Sequence, residues 1–178
     1  MSQTNSEAYF AGGCFWCTES VFQRVKGVSE VVSGYAGGNI KEPTYREICS
    51  GLTGHAELIK ITYDAEQISY LNLMRIFFAT HDPTTLNRQG NDKGTQYRSA
   101  IFYTDPETKT VVDDFIAGEA AEMWTDPIVT TVEALEIFYP AEAYHQNYYN
   151  NHQSKGYCRV VIEPKLQKFR STFNEFMV

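Results

Sequence analysis

The chain has 178 residues, 43% of them hydrophobic and 14% aromatic, with 12 Tyr and 11 Phe. That length fits one domain with a sizeable core. A net charge of −7 at pH 7 argues against nucleic acid and anionic membrane surfaces as partners, and no apolar run is long enough to span a bilayer. The N-terminus, Met1-Ser2-Gln3-Thr4-Asn5-Ser6-Glu7, is polar and lacks a basic segment followed by an apolar one. Residues 1–7 read as a frayed tail rather than a signal peptide. This places the chain in the cytoplasm, where thiols stay reduced and four cysteines serve chemistry rather than structure.

In chain order, Tyr9-Phe10-Ala11 reads as a short strand and Gly12-Gly13 as a tight turn. Phe15, Thr18, Phe22 and Val25 then recur at helical spacing until Gly27, so Cys14 falls in the first turn of a helix. Val28 to Val32 reads as a strand running into the glycine-rich Ser33-Gly34-Tyr35-Ala36-Gly37-Gly38. Ala56 to Tyr63 alternates, with Glu57, Ile59, Ile61 and Tyr63 on one face and Leu58, Lys60 and Thr62 on the other. Ser69 caps a helix carrying Leu73, Ile76 and Phe77 that stops before Pro83. Ser99 to Tyr103 is a further strand, and Asp105-Pro106-Glu107 opens a helix with Val112, Phe115 and Ile116 as its stripe. Ile128 to Val132 reads as a strand and Pro140 to about Asn150 as a short helix. Val160-Val161-Ile162 fits a last strand or buried extended chain, and Pro164 starts a closing helix with Leu166, Phe169 and Phe173 on one face. Two stretches, residues 35–54 and 81–98, show no period, are dense in polar groups and are taken as walls of a site. No repeat or linker divides the chain, which is read as one α+β domain over residues 1–178.

The chemistry centres on Cys14-Phe15-Trp16-Cys17. Only the thiolate is a strong nucleophile, and a helix N-terminus favours it through unpaired N–H groups and the positive end of the dipole. Taken alone, the pair fits a metal half-site, plain core or a redox centre. The histidines at 55, 81, 145 and 152 invite a metal reading, yet only Cys14 and Cys17 have ligand spacing, so no metal is expected. Cys49 reads as a passive buried thiol. Glu57 is either a carboxyl on the core face, paired or protonated there, or a solvated residue at the strand's end. Two other readings stand beside a thiol oxidoreductase: a thioredoxin-type dithiol exchanger, and a non-enzymatic metal-binding or interaction module.

Gly12-Gly13-Cys14-Phe15-Trp16, Ser33 to Gly38, Thr53-Gly54-His55-Ala56-Glu57, His81-Asp82-Pro83-Thr84, Gly90 to Ile101 and Tyr144-His145-Gln146 stand in order along nearly the whole chain. In these segments the sequence resembles the peptide methionine sulfoxide reductase A family. The resemblance implies a compact two-layer α+β sandwich with a mixed, mainly antiparallel sheet and flanking helices. It implies reduction of the S epimer of methionine sulfoxide, free or in oxidised proteins, as repair of oxidative damage. Cys14 matches the nucleophile that becomes a sulfenic acid, Glu57 the general acid, and Tyr35 and Tyr97 the phenols that bind the sulfoxide oxygen. Phe15 and Trp16 match the pocket for the substrate's S-methyl, and Asp82 a site-lining carboxylate. Cys158 matches the C-terminal recycling cysteine, with Cys17, one turn from Cys14, as rival or relay. No bound cofactor is implied; thioredoxin or another dithiol is the expected reductant, and the chain is expected to be a monomer.

Overall fold

The alternating run at 56–63 becomes strand β3 (Ala56–Asp64), flanked in the sheet by β1 (Asn5–Gly12) and β2 (Val28–Ala36). Both pair with it antiparallel, with Phe10 opposite Ile59 and Tyr35 opposite Glu57. In the computed structural model, which describes residues 5–178, β6 (Ser99–Tyr103) lies antiparallel on the other side of β1, and β7 (Thr131–Ala134) runs parallel to β6. The two-residue β8 (Tyr139–Pro140) closes the opposite edge, giving the order β7-β6-β1-β3-β2-β8. The sheet is mixed and mainly antiparallel, as expected.

One face of this sheet carries the main core. Phe10, Ile59 and Ile61 meet α1 (Phe15–Phe22), α3 (Tyr70–Thr80) and α7 (Glu163–Thr172), which contribute Phe22, Leu73, Phe77, Leu166 and Phe169. Ser69 caps α3 and Asp105 caps α4 (Pro106–Phe115), each accepting a backbone N–H from three residues on. On the other face Ala11, Ala56, Leu58, Ala100 and Phe102 form a thinner layer under Leu135 and Phe138. The architecture is a two-layer α+β fold.

The antiparallel pairings position the site. They bring the C-terminal ends of β1 and β2 together with the N-terminal ends of β3 and β6 at one edge of the sheet. Cys14, Tyr35, Glu57 and Tyr97, scattered in sequence, sit at or just beyond those four ends. Gly13 makes the first of these possible: its φ of +90° turns the chain from β1 into α1, and a Cβ there would lie 2.6 Å from the Gln89 side chain.

Several expectations need correction. Asn5 to Glu7, read as frayed tail, pair with Asp64 to Thr62 as the start of β1; residues 1–4 of that expectation lie outside the described residues. The glycine-rich segment after Val32 continues β2 instead of looping. Gly34 serves packing there, since a Cβ would meet the Phe138 ring and the Tyr139 carbonyl at 2.5 Å. The supposedly irregular 35–54 holds a short helix, α2 (Tyr45–Cys49), with a reciprocal capping box between Thr44 and Glu47. The 81–98 wall holds a small hairpin, β4 (Arg88–Gln89) and β5 (Asp92–Lys93), before a tight turn at Thr95–Tyr97. The strand expected at 128–132 is shifted to 131–134, and α1 ends at Phe22 rather than near Gly27. The helix expected from Pro140 is broken: Pro140 lies in β8, a tight turn spans Ala143–His145, and Asn147 in a left-handed conformation (φ 57°) precedes α6 (Tyr148–Asn151). Val160 to Ile162 is helical, not extended, and leads directly into α7 with Val160 74% exposed.

Candidate active site

Cys14 occupies the position before α1, and Phe15 gives its backbone N–H to Glu57 Oε1 at 3.2 Å, so the first helical turn and the start of β3 are joined. Glu57 is 1% exposed and its Oε2 has no partner among the described residues. Of the two readings of this residue, burial on the core face is the one realised. Burial pushes its carboxyl up to about 8, opposed by the Phe15 N–H and reinforced by the charges of Asp92 and Cys17. At neutral pH it is chiefly a neutral acid with a proton to give.

The thiols of Cys14 and Cys17 shift each other's titration in opposite directions. Burial is the largest influence on Cys14 and pushes its thiol well up, followed by the hydrogen bond to Cys17 and the nearby Glu57. The helix start acts in the direction the sequence implies, through the Trp16 N–H, but it is the smallest of these influences. Cys17 is pulled down to about 7, first by the Cys14 hydrogen bond, against burial, with help from Lys165 and the Tyr157 hydroxyl. The reduced pair thus favours the negative charge on Cys17 until substrate arrives. Cys158, fully buried, is raised by burial first and then by Cys17. All four cysteines are free thiols. Cys49, expected to be buried, is exposed at the end of α2.

Phe15 and Trp16 build an aromatic wall. Phe15 is fully buried against Tyr35 and His145, with ring centroids 5.7 and 5.2 Å apart. Trp16 stacks on Tyr148 at 3.8 Å and donates its indole N–H to His145 Nδ1 at 3.1 Å, so its orientation is fixed on two sides. The buried His145 Nε2 has no partner among the described residues.

The phenols divide differently from the sequence reading. Tyr97 lies beside Glu57 and Cys14, and burial followed by those two charges pushes its hydroxyl up. Tyr35 shares the sheet edge with Glu57, but its hydroxyl donates to Glu142 Oε1 at 2.9 Å and is engaged there. Tyr45, which the sequence reading missed, takes the corresponding place: burial, then Glu57, Cys49 and Cys14 raise its hydroxyl. Glu142, also missed, accepts the backbone N–H of Tyr45 at 2.9 Å and so seats α2 against the site.

No hydrogen bond ties Asp82 to Cys14 or Glu57 among the described residues. Its Oδ1 accepts the Thr84 N–H at 2.9 Å, closing its own turn before Pro83, and it lines a separate small cleft with Lys165 and Lys168. The carboxylate near Glu57 is Asp92, on the hairpin. Among the described residues, no group of three or more His, Cys, Asp or Glu gathers as a metal site, and no helix is long and apolar enough to cross a membrane.

Comparison with known proteins agrees with this geometry. The family described as peptide methionine sulfoxide reductase matches residues 6–177. The peptide methionine sulfoxide reductase MsrA of Leptospira borgpetersenii is 54% identical over 93% of this chain and 94% of its own length. That of Nitratiruptor is 52% identical over 97% and 99%. Among solved structures, Mxr1 of Saccharomyces cerevisiae in reduced form superposes with a TM-score of 0.79 at 33% identity, covering 86% of this chain and 89% of that one. Methionine sulfoxide reductase A of Corynebacterium diphtheriae gives 0.75 at 34%, covering 85% and 77%.

Proposed function

The chain belongs to the peptide methionine sulfoxide reductase family and is a thiol-dependent reductase of methionine sulfoxide, and from the site we propose the course of its reaction. The substrate is the S epimer, free or in oxidised proteins. Phe15 and Trp16 receive the S-methyl, and Tyr97 and Tyr45 donate to the sulfoxide oxygen beside Glu57. With two substituents of a pyramidal sulfur fixed, one epimer presents its sulfur to Cys14.

Glu57 protonates the departing oxygen while Cys14 sulfur attacks the substrate sulfur. The oxygen then passes from the substrate sulfur to Cys14: the sulfoxide S–O bond and the transient bond between Cys14 and the substrate sulfur break, a Cys14 S–O bond forms to give the sulfenic acid, and methionine leaves. The Cys14 proton returns to Glu57, so the acid is neutral again for the next step. Cys17 then condenses with the sulfenic acid, and exchange with Cys158 passes the disulfide to the C-terminal segment for reduction by thioredoxin or another dithiol. No bound cofactor enters. The whole chain acts as one domain and a monomer, working in the cytoplasm where thiols are kept reduced.

The observation that carries this reading is Glu57: a buried carboxyl with one bare oxygen, hydrogen-bonded to the residue after the nucleophile. Incubating the enzyme with dithiothreitol and each epimer separately tests it. Turnover of the S epimer alone is expected; equal turnover of both removes the proposed pocket. Cys14→Ser is expected to abolish reduction, and retained activity would reassign the nucleophile.

A further inference from the structure

We propose that Tyr157 takes the proton of Cys17 when this thiol attacks oxidised Cys14, and that Asp92, acting through Tyr157, receives it. The inference rests on the reading above, in which Cys14 becomes a sulfenic acid and Cys17 condenses with it.

The Tyr157 hydroxyl donates to Asp92 Oδ2 at 2.9 Å, and its oxygen lies 3.6 Å from Cys17 Sγ. A phenol has one proton, and a carboxylate only accepts. When that proton is committed to Asp92, the phenol oxygen turns lone pairs toward sulfur and accepts from Cys17 whenever this thiol carries its proton, as it does once Cys14 is oxidised. The three groups form one chain, S–H to O–H to carboxylate. Cys17 is 1% exposed, whereas Asp92 lies on the hairpin and is only partly buried. The chain therefore leads from a buried thiol toward solvent. Tyr157 is held for this task by edge-on contact with Trp16, centroids 5.8 Å apart.

The need arises in the second step. In the reduced pair, the Cys14 thiol is the main influence that lowers Cys17. Oxidation of Cys14 removes that thiol, and Cys17 must shed its proton by another route. Burial holds the Tyr157 hydroxyl far above its ordinary range, so the phenol passes a proton on rather than keeping a charge. In the step, the Cys17–Cys14 S–S bond forms and the Cys14 S–O bond breaks. Cys17 sulfur is oxidised and Cys14 sulfur reduced. The Cys17 proton goes to Tyr157 as that of Tyr157 passes to Asp92, and the departing hydroxide takes the Glu57 proton and leaves as water. Solvent then removes the Asp92 proton and restores that of Glu57.

Rapid quench of a single turnover without reductant, measuring methionine and alkylation-mapped disulfide across pH, tests the proposal. Tyr157→Phe is expected to slow disulfide closure at least tenfold more than methionine release at pH 7. The deficit should shrink by about tenfold per pH unit as hydroxide replaces the relay. Asp92→Asn, which keeps a hydrogen-bonding oxygen but not a proton acceptor, should show the same pH-dependent lag. Tyr157→Phe closing the bridge at the wild-type rate and with the wild-type pH profile overturns the proposal. Cys17→Ser forming a Cys14–Cys158 bridge at the wild-type rate also overturns it, by removing Cys17 from the path. Absence of any methionine burst from the wild type would instead refute the sulfenic-acid reading beneath it.

Discussion

Glu57, at the start of β3, and Glu19, within helix α1, are both buried carboxyls, and the protein uses them in opposite ways. Burial raises both. Glu19 is then satisfied: Oε2 accepts the Asn147 N–H at 2.9 Å and the Ser33 hydroxyl at 3.3 Å, and Oε1 accepts the Tyr148 N–H at 3.1 Å. Those donors oppose the rise and hold the turn that presents Tyr148 to Trp16. Glu57 has one N–H and a bare oxygen, and its carboxyl stays near 8. The contrast shows that burial alone does not make an acid catalyst. The number of donors left out does.

The largest effect expected from breaking this contrast is at Glu57. Glu57→Gln should slow methionine release by roughly 10²–10⁴-fold, the usual scale of general-acid catalysis. At pH 4 its melting temperature should hardly move, because an amide there replaces an acid that is neutral when folded and largely neutral when unfolded. A loss of less than about tenfold in single-turnover methionine release would leave Glu57 as a binding group only.

The pH profile is the next test. The acid works while protonated, so the rate of methionine release should fall about tenfold per unit above pH 8, and that limb should vanish in Glu57→Gln. Stability carries the same signature. The folded carboxyl binds its proton up to about 8 against an ordinary 4.5. The folded state therefore holds more protons in that window, and the contribution of Glu57, full below 4.5, is lost as pH rises toward 8. Denaturant titrations of wild type and Glu57→Gln should converge at acid pH and diverge, with the wild type weaker, toward pH 8.

Glu19→Gln should do the reverse: a smaller effect on chemistry and a larger one on stability. Losing charge-assisted hydrogen bonds in a buried place destabilises by about 2–3 kcal/mol, or roughly 5–10 °C in Tm for a domain of this size. Methionine release should fall only several-fold, through loosening of Tyr148 and Trp16. An unchanged Tm would mean that the turn at Asn147 is held by something else.

What the sequence made legible follows from range. Local period puts Cys14 at the start of a helix, where it stands just before the first turn, and of the two places left open for Glu57 the inner face of the strand is the one taken. Asp82 and Asp92 both lie in a stretch without period; which of them approaches Glu57 depends on the hairpin, a nonlocal matter. Val160-Val161-Ile162 has the β-branched composition of a strand, yet the segment runs helically into α7 and buries Ile162 in the core. Tyr45 was within reach: Thr44 followed three residues later by Glu47 is a helix-start signal, and it puts Tyr45 at the first position of a helix in the wall.

The smallest effect sharpens the same lesson among the phenols. Tyr35 is engaged by Glu142, as Glu19 is engaged by its donors, whereas Tyr45 and Tyr97 lie in the field of Glu57 and Cys14. A neutral hydrogen bond contributes about 1 kcal/mol, so Tyr45→Phe and Tyr97→Phe should each slow methionine release about fivefold, and the double variant more, because each donor covers for the other. Tyr35→Phe removes one donor from Glu142, which keeps the Tyr45 N–H and the Tyr144 hydroxyl. Its release rate should stay within about twofold, with a loss of about 1 kcal/mol in stability. If single-turnover rates rank the other way, with Tyr35→Phe slowest and the Tyr45→Phe/Tyr97→Phe pair near wild type, Tyr35 leaves Glu142 for the oxygen when substrate binds.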